Sequence, residues 1–267
     1  MKVTLLTGAS SGIGEAWAER LAADKHNLLL VARSEDKLQQ LSTYLSGKYG
    51  VSVQYIAIDL TKPNADWQIF EETEKRKLTV DCLINNAGIG TAGDFVAAEL
   101  ASELNMIQLN IVALVSLTHR YLKQMRERNS GTVINVASMA AFMPAPFMAA
   151  YAASKAFVKS FTEALSEENR PFNIRIMLLC PGATETRFFE RANINEQDKK
   201  ALLGNFTLQT SGMVVEEAMK GLKSNKTVVV SGFTNKIGAK LGAFIPNSVI
   251  MKFIAGNARS TFQKTKA

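Results

Sequence analysis

After Glu217 the chain contains no aspartate or glutamate. Residues 218–267 carry nine basic residues instead: Lys220, Lys223, Lys226, Lys236, Lys240, Lys252, Arg259, Lys264 and Lys266. Removing those nine from the net charge of +7 leaves residues 1–217 at −2. A near-neutral body excludes a general nucleic-acid-binding surface and points to a local basic feature. Cysteine and histidine are scarce as well. Cys82 and Cys180 sit in separate apolar runs, without metal or redox spacing. Buried free thiols and a reducing, cytoplasmic location are the expectation. His26 and His119 are isolated, so no metal site is expected. No uninterrupted apolar stretch reaches the roughly 20 residues of a membrane span. The first strand-like run starts at Lys2, so no signal or transit peptide is expected. Repeats and low-complexity tracts are absent.

What remains suits one domain with a large core: 267 residues, 47% of them hydrophobic. Strand-like runs at 2–7, 27–32, 51–58, 80–84, 131–137, 173–179 and 227–231 alternate with helical patterns near 12–24, 35–48, 65–77, 99–129, 151–169 and 214–224. The alternation predicts an α/β fold, a doubly wound seven-stranded parallel sheet covered on both faces. Such sheets bind ligands beyond the C-terminal ends of their strands, at the switch point. The residues with chemistry gather there: a glycine turn after the first strand, Asn86 after the fourth, Ser138 after the fifth and Pro181-Gly182 after the sixth.

The glycine turn is Thr7-Gly8-Ala9-Ser10-Ser11-Gly12-Ile13-Gly14, between a strand and a helix. Helix-start N–H groups and missing Cβ atoms make such a turn an anion site, although a tight turn without a ligand has the same outline. Tyr151 and Lys155 lie four residues apart, one turn along a helix face. An ammonium near a phenol favours phenolate and is expected to lower the tyrosine pKa. At the end of the second strand stands Arg33, with no acid before it. An arginine there suits the 2′-phosphate of NADP, whereas a carboxylate would suit NAD. NADP (NADPH) is therefore the expected cofactor, with NAD as the alternative.

Thr7-Gly8-x-x-x-Gly12-x-Gly14, Asn85-Asn86-Ala87-Gly88, Asn110, Ser138, Tyr151-x-x-x-Lys155 and Pro181-Gly182 occur together in order and spacing. In this the chain resembles the short-chain dehydrogenase/reductase family over about residues 1–232. The resemblance implies a Rossmann domain (1–232, with a substrate lid at about 183–212) followed by a basic extension (233–267). It implies catalytic roles for Asn110, Ser138, Tyr151 and Lys155. Tyr151 would be the general acid/base, Ser138 a donor to the substrate oxygen, and Lys155 a holder of the nicotinamide ribose. Asn110 would hold a water, or simply pack. Cofactor contacts are implied for Gly8, Ser10, Ser11, Gly12, Ile13, Gly14, Arg33, Asp59, Leu60, Asn86, Ala87, Gly88, Tyr151, Lys155, Pro181, Gly182, Thr184 and Thr186. In the family a second NADP marker is a basic residue just before the middle glycine; here Ser11 stands there. Asp59 is also readable as a turn aspartate, and Asn85 as a brace between strands. A homodimer or homotetramer formed through the two long helices is implied too.

The expected activity interconverts a carbonyl and an alcohol on an apolar, lipid-like or acyl substrate. Alternatives are a 3-oxoacyl carrier-protein reductase and a non-catalytic dinucleotide-binding redox sensor. Met139, Phe142, Met143, Phe147 and Met148 suggest an apolar pocket wall, or else loop packing. Phe188, Phe189, Leu202, Leu203 and Phe206 are the lid's apolar candidates. The tail alternates basic and apolar residues. It has the pattern of a peripheral membrane contact, a cap on the site entrance, an acidic-carrier contact or a helix packed on its own domain.

Overall fold

The molecule, a computed structural model, is described here for residues 1–186, 188–191 and 208–242, and for seven separate positions between 248 and 262. Seven parallel strands form one sheet in the order β3-β2-β1-β4-β5-β6-β7. They are β1 (Lys2–Thr7), β2 (Leu28–Ala32), β3 (Val53–Ala57), β4 (Thr79–Asn85), β5 (Gly131–Val136), β6 (Ile174–Cys180) and β7 (Val228–Val230). The helices are α1 (Gly12–Ala23), α2 (Glu35–Tyr49), α3 (Ala65–Lys75), α4 (Leu100–Ile107), α5 (Leu114–Glu127), α6 (Ala149–Glu168), α7 (Phe188–Arg191), α8 (Ser211–Lys223) and α9 (Phe233–Gly242).

Strand periodicity divides the core. Leu28 and Leu30 of β2 join Trp17, Leu38 and Val214 on one face of the sheet. Leu29 and Val31 join Ile69, Leu117, Tyr121 and Met125 on the other. Successive strand residues point to opposite faces, and helices cover both, so β2 is apolar at every position. This is the predicted doubly wound sheet. The chain reverses its direction of travel between β1 and β4, which opens the crevice where these two strands end.

One feature differs from expectation. The long helix predicted over 99–129 is interrupted by a π-helical segment, Gln108–Ala113. There Asn110 turns its amide to the backbone of Ile89, and a π turn accommodates such an outward reach. Leu100–Glu127 as a whole has the length and apolar composition of a membrane span. In this fold it is a crossover helix, with Met106, Leu117, Tyr121 and Met125 buried on the sheet. Helix α9 forms within the extension predicted from 233, where a helix packed on its own domain is among the readings. Leu202, Leu203, Phe206, the side chain of Phe189 and most of the tail lie outside the described residues.

Candidate active site

The turn after β1 is held by side chains on the next strand over. Asn86 Nδ2 donates to the carbonyls of Thr7 (3.0 Å) and Gly8 (3.3 Å). Thr7 Oγ1 accepts from the N–H groups of Asn86 and Ala87, both at 3.0 Å. Gly8 and Gly12 have φ of +67° and +59°, a region costly for side chains with a Cβ. A Cβ at Gly14 would collide with the Gly8 carbonyl oxygen, so helix α1 begins flush against the turn. Ser11 precedes the helix in extended conformation, and its side chain does not cap it. The first-turn N–H groups therefore retain their capacity for an anion.

The turn opens into a cleft of about 370 Å³. Every residue expected at the cofactor lines it: Gly8, Ser10–Gly14, Arg33, Asp59, Leu60, Asn86–Gly88, Tyr151, Lys155, Pro181, Gly182, Thr184 and Thr186. Their roles are not uniform. Asn85 braces the sheet as expected, donating to Thr118 Oγ1 and Asn135 Oδ1 at 2.9 Å each. The amide of Asn86 is equally committed to structure. Asp59 accepts from the N–H and hydroxyl of Thr61, as a turn aspartate does. Burial pushes its carboxyl up, but Thr61 and the Arg33 charge together hold it below the usual carboxylate range. Thr184 is buried and donates to the Gly182 carbonyl at 3.0 Å. Thr186 Oγ1 accepts from the N–H of Phe188, starting α7, while its methyl group faces Gly12.

At the other end of the cleft, bonds from β5 to β6 fix Ser138. Ala137 N–H donates to Leu179 O at 2.8 Å and Met139 N–H to Pro181 O at 2.9 Å. Ser138 Oγ accepts from Ala140 N–H at 3.2 Å, and its side chain lies near enough to Tyr151 to favour the phenolate. Lys155 lies beneath, with Nζ donating to Val136 O at 3.1 Å and standing 6.0 Å from the Tyr151 ring centroid. Asn110 does not line the cleft. Its Oδ1 accepts from Ile89 N–H (3.1 Å), and its Nδ2 donates to Ile89 O and Ser154 Oγ, both at 3.0 Å. A Cβ at Gly88 would lie 3.2 Å from both Asn110 Oδ1 and Lys155 Nζ, so the two side chains border the same space above Gly88.

The expected lowering of the tyrosine pKa is not what this arrangement produces. Burial pushes the Tyr151 phenol up to about 12, against the lowering effect of Ser138. Burial likewise pushes Lys155 down to about 8. Both groups are enclosed, and removing their charged forms from water dominates here. Tyr151 is thus a neutral donor at pH 7, while Lys155 still carries most of its charge there.

Several contacts have no sequence motif to announce them. Phe188 packs its ring on Tyr151, with centroids 5.3 Å apart and planes at 51°. It fits because position 90 is glycine: a Cβ there would collide with the Phe188 ring. Phe147 has φ +65° and stacks on Phe262 of the tail at 5.2 Å. Asn235 of α9 occupies the space a Cβ on Gly182 would need. Phe147 and Phe188 stood out as apolar candidates, but only the folded chain supplies their partners.

The glycine cradle, the open helix start and the continuous cleft fit a dinucleotide. A family model for short chain dehydrogenases matches residues 2–197. Human 17-beta-hydroxysteroid dehydrogenase type 3 is 32% identical over 235 residues, covering 82% of this chain and 74% of that protein. The 7beta-hydroxysteroid dehydrogenase of Mediterraneibacter gnavus is 30% identical over 232 residues, covering 87% of this chain and 86% of that one. A short-chain dehydrogenase from Sphingobium yanoikuyae, solved in complex with NADPH, matches with a TM-score of 0.82 at 28% identity, over 100% of this chain and 98% of its own. The chain belongs to the short-chain dehydrogenase family of oxidoreductases.

Proposed function

We propose that this protein is an NADP(H)-dependent oxidoreductase that interconverts a carbonyl and an alcohol on a bulky apolar substrate, with Tyr151 as general acid/base. One observation carries the reading: a single cleft runs from the glycine turn to Ser138, Tyr151 and Lys155. A reduced nicotinamide bound there supplies a hydride to a carbonyl carbon. Gly8, Ser10–Gly14 and Asn86–Gly88 would hold the dinucleotide, with Pro181, Gly182, Thr184 and Thr186 closing the opposite wall.

The chain's own residues handle the proton. Tyr151, neutral at pH 7, gives its hydroxyl proton to the carbonyl oxygen. Ser138, beside the same phenol, donates to the developing negative charge. Burial pushes Lys155 down to about 8, which leaves its ammonium largely intact at pH 7 and makes it a stronger acid than the phenol. Asn110 acts as a positioning residue, tying Ile89 and Ser154 around the lysine.

Arg33 supports NADP: it is exposed at the end of β2 and lines the cleft beside Asp59. The NADPH bound in the Sphingobium relative supports the same choice. The hydroxysteroid dehydrogenases among the relatives support a bulky apolar substrate, as do Met148 and Phe188 beside Tyr151. Exposed Leu104, Val112 and Phe157 on the helices α4 to α6 support self-association. Free Cys82 and Cys180 support a reducing compartment such as the cytoplasm.

A panel of ketones, including ketosteroids, assayed with NADPH and with NADH tests the proposal. Turnover of a bulky ketone with NADPH is expected. Preference for NADH would overturn the Arg33 argument, and affinity for neither dinucleotide would overturn the whole reading.

A further inference from the structure

Helix α9 presents two unlike faces. Inward, Asn235 packs against Gly182 and Gly232, and its Nδ2 donates to Ser231 O at 2.7 Å. Gly238 and Ala239, one turn on, are half-buried on the same side. Outward, Phe233 is 77% exposed and Ile237 43% exposed, four residues apart and therefore adjacent on one stripe. Exposed Lys236 and Lys240 flank that stripe. Lys236 is held by Glu217 (2.6 Å), which also accepts from the N–H of Gly232, so the helix start is pinned to the body. Lys240 has no acidic residue on its own element, and none follows it in the chain. From Phe233 to the C-terminus the sequence has six basic residues and no acid.

We propose that the outer face of α9 docks on an anionic lipid surface. Phe233 and Ile237 enter the headgroup boundary, while Lys240 and the acid-free segment supply attraction to negative lipid. An aromatic and a branched aliphatic side chain held out on a pinned helix fit a fluid apolar layer, and the charge of the segment is complementary to a single sign of surface. The inner face gives docking a consequence. Asn235 rests on Gly182, and Gly182 lines the cleft. Docking therefore sets the cleft beside the membrane, where an apolar carbonyl compound is concentrated. That consequence rests on the substrate reading above; the docking itself does not.

Co-sedimentation of the full chain with phosphatidylglycerol-containing vesicles and with pure phosphatidylcholine vesicles tests this. Binding to the anionic vesicles alone, released by added salt, is expected. The double variant Phe233→Glu/Ile237→Glu should lower partitioning at least about 10-fold, and Lys240→Glu should lower it several-fold. Both variants should reduce a water-soluble ketone with NADPH at the parent rate when no vesicles are present, which separates docking from the enzymatic reading. Absence of sedimentation with anionic vesicles at low salt would overturn the proposal. So would parent-like sedimentation of the double variant, or capture by an acidic carrier protein without vesicle binding.

Discussion

The two ends of the cleft are built differently. The dinucleotide end is mostly backbone: Gly8, Gly12 and Gly14 shape the turn, and Thr7 and Asn86 lock it with short-range bonds between neighbouring strands. The substrate end is mostly side chain. Ser138, Tyr151 with Lys155, and Phe188 arrive from three separate stretches of chain and meet through burial and ring packing. A backbone cradle holds a shared ligand group and tolerates little change. A side-chain chamber can be re-cut for a new substrate while the cradle stands. Substitutions at either end should therefore separate cofactor binding from turnover.

Tyr151→Phe should show the largest separation. It removes the proton donor and keeps the ring on Phe188, so kcat should fall at least about 10²-fold. NADPH affinity, read by fluorescence titration, should stay within about twofold. Near-normal turnover would break the division of labour.

Lys155→Met probes the electrostatics of the chamber. A buried lysine pushed down to about 8 from 10.5 is penalised while it remains protonated in the fold. Between those pH values the unfolded chain binds the proton and the folded chain does not, so this group's contribution to stability rises with pH. Relative to wild type, the variant should gain most at or below pH 8, by at most about 3 kcal/mol, less the lost bond to Val136. The advantage should vanish by about pH 10.5. Denaturant melts of both proteins across this range give the difference. A pH-independent difference would mean that the ammonium is not desolvated.

Arg33→Ala acts at the far end. Loss of a charge-assisted contact should weaken NADPH binding about 10-fold and leave NADH binding nearly unchanged. Equal effects on both cofactors would sink the 2′-phosphate assignment. Gly90→Ala should be the mildest. The added methyl displaces the Phe188 ring, which should change KM for bulky ketones about fivefold while cofactor affinity is held, since single-methyl changes in apolar pockets are worth about 1 kcal/mol.

Legibility in the sequence followed the same boundary. Strand runs separated by amphipathic helices gave away the parallel sheet, and the predicted element limits agree with the structure to within a few residues for most elements. The glycine turn, Ser138 and the Tyr151–Lys155 pair were legible because their spacing is local. The π segment at Gln108–Ala113 was not, because no local period announces it and the bond that accompanies it, from Ile89 N–H to Asn110, spans 21 residues. The sign of the Tyr151 shift was misjudged for a similar reason. A pair of residues on a helix suggests their mutual effect, whereas their shared desolvation depends on everything packed around them.

By itself the sequence determined the order of strands and helices, the glycine cradle, the residue types available for proton transfer and the acid-free tail. These follow from periodicity, from the conformational range of glycine and from charge, all properties of short stretches of chain. Tertiary structure alone decided that Phe188 roofs Tyr151 over Gly90, that Asn235 of α9 seals the wall at Gly182, and that burial shifts both Tyr151 and Lys155 towards their neutral forms. Burial and ring stacking depend on the distances between segments far apart in the chain, and only the packed sheet sets those distances.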